Sequence, residues 1–233
     1  MRMRKWWFFW YTQVLASLIF KVLPIVSLLS GRLLFFNVRA IGLENLPKHK
    51  EALIIAPKHH SFGDHFFIAG AMPLLSSVFP VRAIAADWLF KNFFLRWTLK
   101  AFGCYPAKRG MGLDVSLRGQ LRVLKKGGTA LIYPEAGIKV REGVSIVKPG
   151  AVYLAQKTGA PILPISFRGL ERLTWWDFFF GRRKVTVLFG EKFHVKQVDG
   201  FDELPDDEKK EILSRDSELL KARMNALYEV KTA

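Results

Sequence analysis

The sequence predicts an α/β fold, in which helices alternate with the short strands of one sheet. Five apolar runs have the length of strands, and stretches with helical spacing separate several of them. The chain has 233 residues, of which 50% are hydrophobic, which is enough for one substantial core but too short for two comfortable domains. We therefore expect one domain over residues 37–233, preceded by a separate segment of residues 1–36.

The predicted elements follow one another along this domain. The strands are the apolar runs Ala52–Ala56, Val81–Ala85, Thr129–Tyr133, Pro161–Ser166 and Val185–Phe189. The clearest helix runs from Asp114, a good N-cap residue, to Lys126, and two glycines follow it. Its apolar stripe consists of Leu113, Leu117, Leu121 and Leu124.

A second amphipathic helix is expected from Asp206 to Tyr228, at the end of the chain. One face of this helix carries Leu213, Leu220, Met224 and Leu227. Because these residues recur at helical spacing, we interpret the face as core packing rather than as a site for a partner.

Residues 1–36 have the composition of a membrane anchor. Three bases precede the aromatic cluster Trp6–Tyr11, and Trp and Tyr rings suit the headgroup layer of a bilayer. The fifteen residues between Lys5 and Lys21 would form a helix of about 22 Å, shorter than the hydrocarbon thickness of roughly 30 Å. We therefore expect a helical hairpin that lies in the membrane interface, with one strained spanning helix as the alternative.

The charge of the chain favours an anionic partner. Its net charge is +16, although residues 199–218 hold nine acids and only three bases. The electrostatic field of such a positive charge attracts nucleic acid and anionic lipid about equally well. The aromatic clusters favour the lipid surface, so we expect no nucleic-acid partner. The single cysteine, Cys104, excludes an intrachain disulfide and a cysteine-based zinc site, and we expect it to be buried.

A histidine–aspartate motif directly after the first predicted strand contains the candidate catalytic residues. It reads Lys-His-His-Ser-Phe-Gly-Asp over residues 58–64. A carboxylate can fix the tautomer of an imidazole and stabilise its protonated form, so His59 and Asp64 make a general base and its orienting partner. On proximity alone, His60 and His65 compete for the role of the base.

Further blocks follow this motif in a fixed order. Residues 102–110 form a strand-and-turn segment that ends in bases, and residues 131–137 form a strand that leads into a Pro-Glu turn. Residues 147–151 open a helix, and residues 160–165 form another buried strand. Several blocks in one order are far more specific than any block alone.

These blocks resemble the glycerolipid acyltransferase family, in particular its bacterial 1-acyl-glycerol-3-phosphate acyltransferases, over roughly Val38 to Gly190. The resemblance implies a mixed central sheet flanked by helices. It also implies transfer of a fatty acyl group from acyl-CoA or acyl carrier protein to the sn-2 hydroxyl of lysophosphatidate, at the cytoplasmic face of the cell membrane. No metal and no bound cofactor are implied. The alternatives are another lysolipid or glycerol-phosphate acceptor and, from a different class, a non-catalytic basic protein that binds membrane lipids.

The resemblance also implies roles for single residues. His59 is the base, because it lies five residues before Asp64. Arg109 is expected to bind the phosphate of the acceptor, and Lys108 either that phosphate or the thioester oxygen. Glu135 is expected to orient arginines or to hold a glycerol hydroxyl.

The third block departs from the family's Phe-Pro-Glu-Gly-Thr-Arg-Ser, since Ile138 stands where an arginine is expected. A one-residue insertion would put Lys139 and Arg141 in its place. We take these two bases and Lys148 as further candidates for phosphate binding, with solvated bases as the alternative. Gly137 is expected to give the backbone room. The cluster of rings and bases at residues 175–184 predicts a second membrane contact or an entrance for the acyl chain, with a buried loop as the alternative.

Overall fold

A computed structural model describes residues 37–61, 64–73, 76–101, 103–108, 110–171 and 184–230. Its strands are β1 Asn37–Ile41, β2 Leu53–Pro57, β3 Val81–Ala86, β4 Tyr105–Ala107, β5 Thr129–Leu131, β6 Ile162–Arg168 and β7 Lys184–Phe189. Its α-helices are α1 Asp64–Ala71, α2 Phe93–Ala101, α3 Gly112–Ser116, α4 Arg118–Leu124, α5 Gly150–Thr158 and α6 Asp206–Ala226. The expected membrane hairpin and residues 175–183 of the second aromatic cluster lie outside the described residues.

The described strands form one mixed sheet in the order β1-β7-β6-β2-β5-β3-β4, which confirms the predicted fold class. Every neighbouring pair is parallel except β6 and β7, which are antiparallel. The strands from β6 to β4 therefore run in one direction, so their carboxyl ends meet at one edge of the sheet. In open α/β sheets, this edge is where ligands bind.

The central strand β2 is buried on both faces of the sheet, as its continuous apolar run predicts. Ile54 and Ala56 face a core that α5 and α6 cover, whereas Leu53 and Ile55 face a second core that includes residues of α1. The residues that follow β2 are therefore positioned by a rigid strand that is packed on both faces.

The predicted helix Asp114–Lys126 is in fact two helices, α3 and α4, which are separated at Leu117. Its leucine stripe is confirmed, because all four leucines belong to one core. Asp114 is not an N-cap; it lies inside α3 and accepts a hydrogen bond from the Tyr153 hydroxyl. A Cβ on Gly119 would lie 2.6 Å from the Tyr105 ring, so this glycine allows α4 to approach β4 closely.

The closing helix is confirmed as α6, although it ends at Ala226 rather than Tyr228, and the four predicted core residues are buried, with Leu227 as the C-cap. Three of these strands and helices were not predicted individually, β1, α1 and α2. β1 has no long apolar run, and nearly every residue of α2 is exposed to solvent. No helix within the described ranges is both long and apolar enough to span a bilayer.

Candidate active site

The candidate residues lie at the carboxyl edge of the parallel strands. His59 follows β2, Glu135 follows β5, and Lys108 follows β4. Because β2 and β5 are paired, residues that follow them emerge side by side. Arg109 falls outside the described residues.

His59 and Asp64 form a hydrogen-bonded pair. His59 Nδ1 lies 2.9 Å from Asp64 Oδ2, and the carboxylate is fully buried while the imidazole is partly exposed. Since a carboxylate accepts the hydrogen bond, the proton lies on Nδ1, and Nε2 carries the lone pair. The arrangement can therefore take a proton at Nε2 and stabilise the resulting imidazolium.

Other groups hold the Asp64 carboxylate in place. The backbone amides of His60 and Ser61 donate to it at 2.8 and 2.9 Å, and the Ser61 hydroxyl donates to Oδ1 at 2.7 Å. Asp64 is also the first residue of α1, where a negative charge is favourable. The orienting group is thus fixed by residues 60 and 61 and by its place at the start of α1.

The His59 ring stacks on Tyr133, with 3.9 Å between the ring centroids and an angle of 22° between the planes. The Tyr133 hydroxyl lies 3.1 Å from Nδ1 of His65. Burial raises the pKa of Tyr133 well above its usual value and lowers the pKa of His65, so both side chains are neutral at pH 7. Tyr133 therefore fixes the plane of the base and adds no charge.

An ion pair that was not predicted from the sequence lies next to the backbone of His59. Lys58 is fully buried, and its Nζ lies 3.3 Å from each carboxylate oxygen of Glu135. The same carboxylate accepts a hydrogen bond from the His59 amide at 3.3 Å. Glu135 thus contacts a lysine and the backbone of the base, whereas its expected contacts with arginines or a glycerol hydroxyl stay predictions. A charged residue directly after a doubly buried strand was a usable signal, because a buried lysine needs a partner.

The loop from Ala136 to Lys148 is attached to the site at both ends. The Lys139 amide donates to the His59 carbonyl, and the Lys148 amide donates to the Pro134 carbonyl, each at 2.7 Å. Ala136 has a φ of 51°, a left-handed conformation that costs a non-glycine residue about 1 kcal/mol. A Cβ on Gly137 would meet no atom within 4 Å, so the space beside it is open.

The candidate phosphate-binding side chains in the described part of the chain are exposed, and none forms an ion pair with another described residue. They are Lys108, Lys139, Arg141 and Lys148. Within the same ranges, no three His, Cys, Asp or Glu side chains are grouped as metal ligands would be.

The neighbouring His60 is buried, and this leads to a prediction about how the stability of the protein depends on pH. Its Nε2 lies 3.6 Å from Glu171 Oε1, and its ring stands edge-on to Phe167. Burial first, and then the charges of Lys58 and His59, lower the pKa of His60 to about 4, although Asp64 acts in the opposite direction. The unfolded chain, with a histidine pKa of about 6.5, therefore binds a proton between pH 6.5 and 4 that the folded chain excludes.

This stabilising effect of His60 is present above pH 6.5 and is lost as the pH falls toward 4. We expect the free energy of unfolding to fall over this window by up to about 1.4 kcal/mol per pH unit from this group. Urea unfolding at several pH values would measure the slope, and His60→Gln should make it shallower. Equal slopes for wild type and variant would contradict the assignment.

The chain is similar to known acyltransferases. A family model described as acyltransferase matches residues 37–168, more than half of the chain. The chain is 29% identical over 192 residues to a 1-acyl-sn-glycerol-3-phosphate acyltransferase of Bacillus subtilis, covering 82% of this chain and 88% of that protein. A chloroplastic protein of the same name from Arabidopsis thaliana is 27% identical over 171 residues, covering 71% of this chain. The chain spans only 46% of the length of the plant relative.

A solved structure supports the fold. The crystal structure of the 1-acyl-sn-glycerophosphate acyltransferase PlsC from Thermotoga maritima matches with a TM-score of 0.64 and 23% identity, covering 94% of this chain and 83% of that chain. At this identity the likeness concerns the fold alone. Together with the family model, the mixed sheet and the His59–Asp64 pair lead to one conclusion: this chain belongs to the acyltransferase family.

Proposed function

We propose that this protein is an O-acyltransferase that transfers a fatty acyl group from acyl-CoA or acyl carrier protein to the sn-2 hydroxyl of lysophosphatidate, which gives phosphatidate. The observation that carries the proposal is the 2.9 Å contact between His59 and Asp64 at the carboxyl edge of the sheet. The names of the relatives support the acceptor, because both are acyltransferases of 1-acyl-sn-glycerol-3-phosphate.

In this mechanism, His59 Nε2 takes the proton of the acceptor hydroxyl while the oxygen attacks the thioester carbonyl. The tetrahedral intermediate then expels the thiolate, which receives the proton from the imidazolium, so an ester and a thiol are formed. Asp64 stabilises the imidazolium between the two proton transfers. The Ser61 hydroxyl donates to Asp64, and no Gly-x-Ser-x-Gly elbow surrounds it, which supports direct attack rather than an acyl-serine intermediate.

The remaining residues of the proposal bind the acceptor and hold the site in shape. Arg109 and Lys108 bind the phosphate, with Lys139, Arg141 and Lys148 as further cations around it. The Glu135 carboxylate fixes the backbone of His59 by accepting a hydrogen bond from the His59 amide. Residues 1–36 attach the domain to the cytoplasmic face of the membrane, where the acceptor lipid resides.

Mass spectrometry of the products tests the proposal as a whole. Purified protein is offered a panel of lysolipids and glycerol phosphate, with acyl-CoA or acyl carrier protein as the donor. Phosphatidate from lysophosphatidate is the expected product. A preference for another acceptor would replace the substrate assignment, and the absence of any acylated product with all donors would favour a non-catalytic lipid-binding protein.

The proposed binding of the acceptor phosphate by Arg109 gives a more specific prediction. An arginine can meet a phosphate with two parallel hydrogen bonds, whereas a lysine offers a point charge. Arg109→Lys should therefore raise the Michaelis constant for lysophosphatidate and leave that for the acyl donor nearly unchanged, because it removes binding of the acceptor. Steady-state kinetics with each substrate varied in turn would measure both constants. Wild-type behaviour of the variant toward lysophosphatidate would rule out this role for Arg109.

A further inference from the structure

The segment of residues 87–101 exposes an unusual amount of apolar surface. It comprises the 3-10 turn Asp87–Lys91 and the helix α2, and we call it the aromatic helix. Its exposed apolar side chains are Trp88, Phe93, Phe94, Leu95 and Trp97, with exposures from 43% for Leu95 to 78% for Phe94. A contiguous exposed patch of this kind marks an interaction site rather than ordinary surface.

Helical spacing separates the rings of α2 from its bases. At 100° per residue, Phe93, Phe94 and Trp97 lie on one side, whereas Arg96 and Lys100 are one turn apart beside them. The Arg96 guanidinium lies 5.8 Å from the centroid of the Phe93 ring. Residues 87–101 hold three bases and one acid. Aromatic rings flanked by cations on long, flexible stems are the pattern of a helix that lies in a membrane interface.

The aromatic helix is attached to the edge of the sheet that holds the candidate site. Its turn begins directly after the carboxyl end of β3, which is two strands away from β2 and thus about 10 Å from it. Leu99 packs against the core, so the helix is fixed to the domain. Helix insertion would therefore place the carboxyl edge next to the lipid.

The loop Ala136–Lys148, which follows β5 between β2 and β3, has a similar composition. Ile138 and Val140 are exposed and alternate with Lys139 and Arg141, which are also exposed. The hydrogen bond from the Lys139 amide to the His59 carbonyl places this loop directly at the site. Apolar side chains interleaved with bases thus occur on two segments of one edge.

We propose that the aromatic helix inserts its rings into the headgroup layer of an anionic bilayer, with the carboxyl edge of the sheet facing the lipid. This inference does not depend on acyl transfer. The positive charge of the protein favours anionic lipid over the two other possible partners of this surface, which are residues 1–36 and a second copy of the chain. Residues 1–36 carry five bases and no acid, and a second copy that docked through the same face would present the same positive surface, so either would bring like charges together. Anionic lipid offers the opposite charge.

A fluorophore at a single position tests the insertion in the full chain. Phe94→Cys is labelled with an environment-sensitive dye; the native Cys104 should not react, because it is buried and burial raises the pKa of its thiol to about 12. With vesicles of phosphatidylcholine and phosphatidylglycerol, we expect a blue shift and quenching by lipids that carry a nitroxide on the acyl chain. The matched control is a label at Leu219→Cys, an exposed apolar position on α6, which should show neither change.

Binding of variants gives a second, independent measurement. Phe94→Ser combined with Trp97→Ser should weaken sedimentation with these vesicles by about tenfold or more, whereas Leu219→Ser should leave it unchanged. Added salt should weaken the binding of wild type, because it screens the bases. A label at position 94 that is already blue-shifted without vesicles would show that protein covers the patch. That result, an unresponsive label at position 94, or equal sedimentation of the double variant and wild type would overturn the proposal.

Discussion

His59→Ala is expected to lower the rate of acyl transfer by about two to four orders of magnitude, which is the usual contribution of a positioned general base. The variant removes the nitrogen that takes the hydroxyl proton, but it leaves the buried Asp64 with its hydrogen bonds from two backbone amides and the Ser61 hydroxyl. Folding and vesicle binding should therefore be retained. Steady-state turnover, with circular dichroism and vesicle sedimentation as checks, would measure these effects.

Two further variants distinguish this role from that of a neighbour. His60→Ala should reduce turnover per folded molecule much less, because the His60 ring faces Glu171 and Phe167. Asp64→Asn should also lower turnover strongly, because an amide side chain can favour the wrong tautomer of His59 and cannot stabilise an imidazolium by charge. Equal losses from His59→Ala and His60→Ala, or near-normal turnover without His59, would refute the assignment of the base.

Lys58→Met should produce the largest loss of stability among the variants considered. The substitution keeps an apolar side chain in the buried space but leaves the Glu135 carboxylate without its partner in a nearly water-free position. Breaking a buried ion pair in this way costs about 3–5 kcal/mol. Urea unfolding monitored by circular dichroism would measure the free energy of unfolding.

The double variant Lys58→Met, Glu135→Gln is the informative control. With both charges removed, much of the loss should be recovered, and the difference from the sum of the single variants gives the coupling energy. Lys210→Met offers a comparison on the surface, since Lys210 pairs with Asp207 in an exposed position and should matter little. A Lys58→Met variant as stable as wild type would show that the buried pair contributes nothing.

The features that could be predicted from the sequence are those encoded within a few adjacent residues. The strand β2, His59 and Asp64 lie within one short stretch, so local spacing was sufficient to bring the pair together. The ion pair between Lys58 and Glu135 joins residues 77 positions apart. Its formation depends on β2 and β5 being neighbours in the sheet, which no local pattern specifies.

Other predictions failed because tertiary packing overrides local propensity. The leucine periodicity from Leu113 to Leu124 correctly gave the buried face, but it did not reveal the interruption at Leu117. The helix α2 was missed because sequence patterns find helices through their buried stripe, whereas α2 exposes its large side chains.

The reversed direction of β7 and β1 decides at which edge of the sheet these two strands begin. Asn37 pairs with Lys184, and Arg168 at the end of β6 pairs with Thr186, so both β1 and β7 begin at the edge where β6 and β2 end. Both strands therefore begin on the side of His59. The first described residue, Asn37, thus lies on that side whatever sequence precedes it. Under the proposed attachment through residues 1–36, strand polarity alone brings the side of His59 toward the membrane.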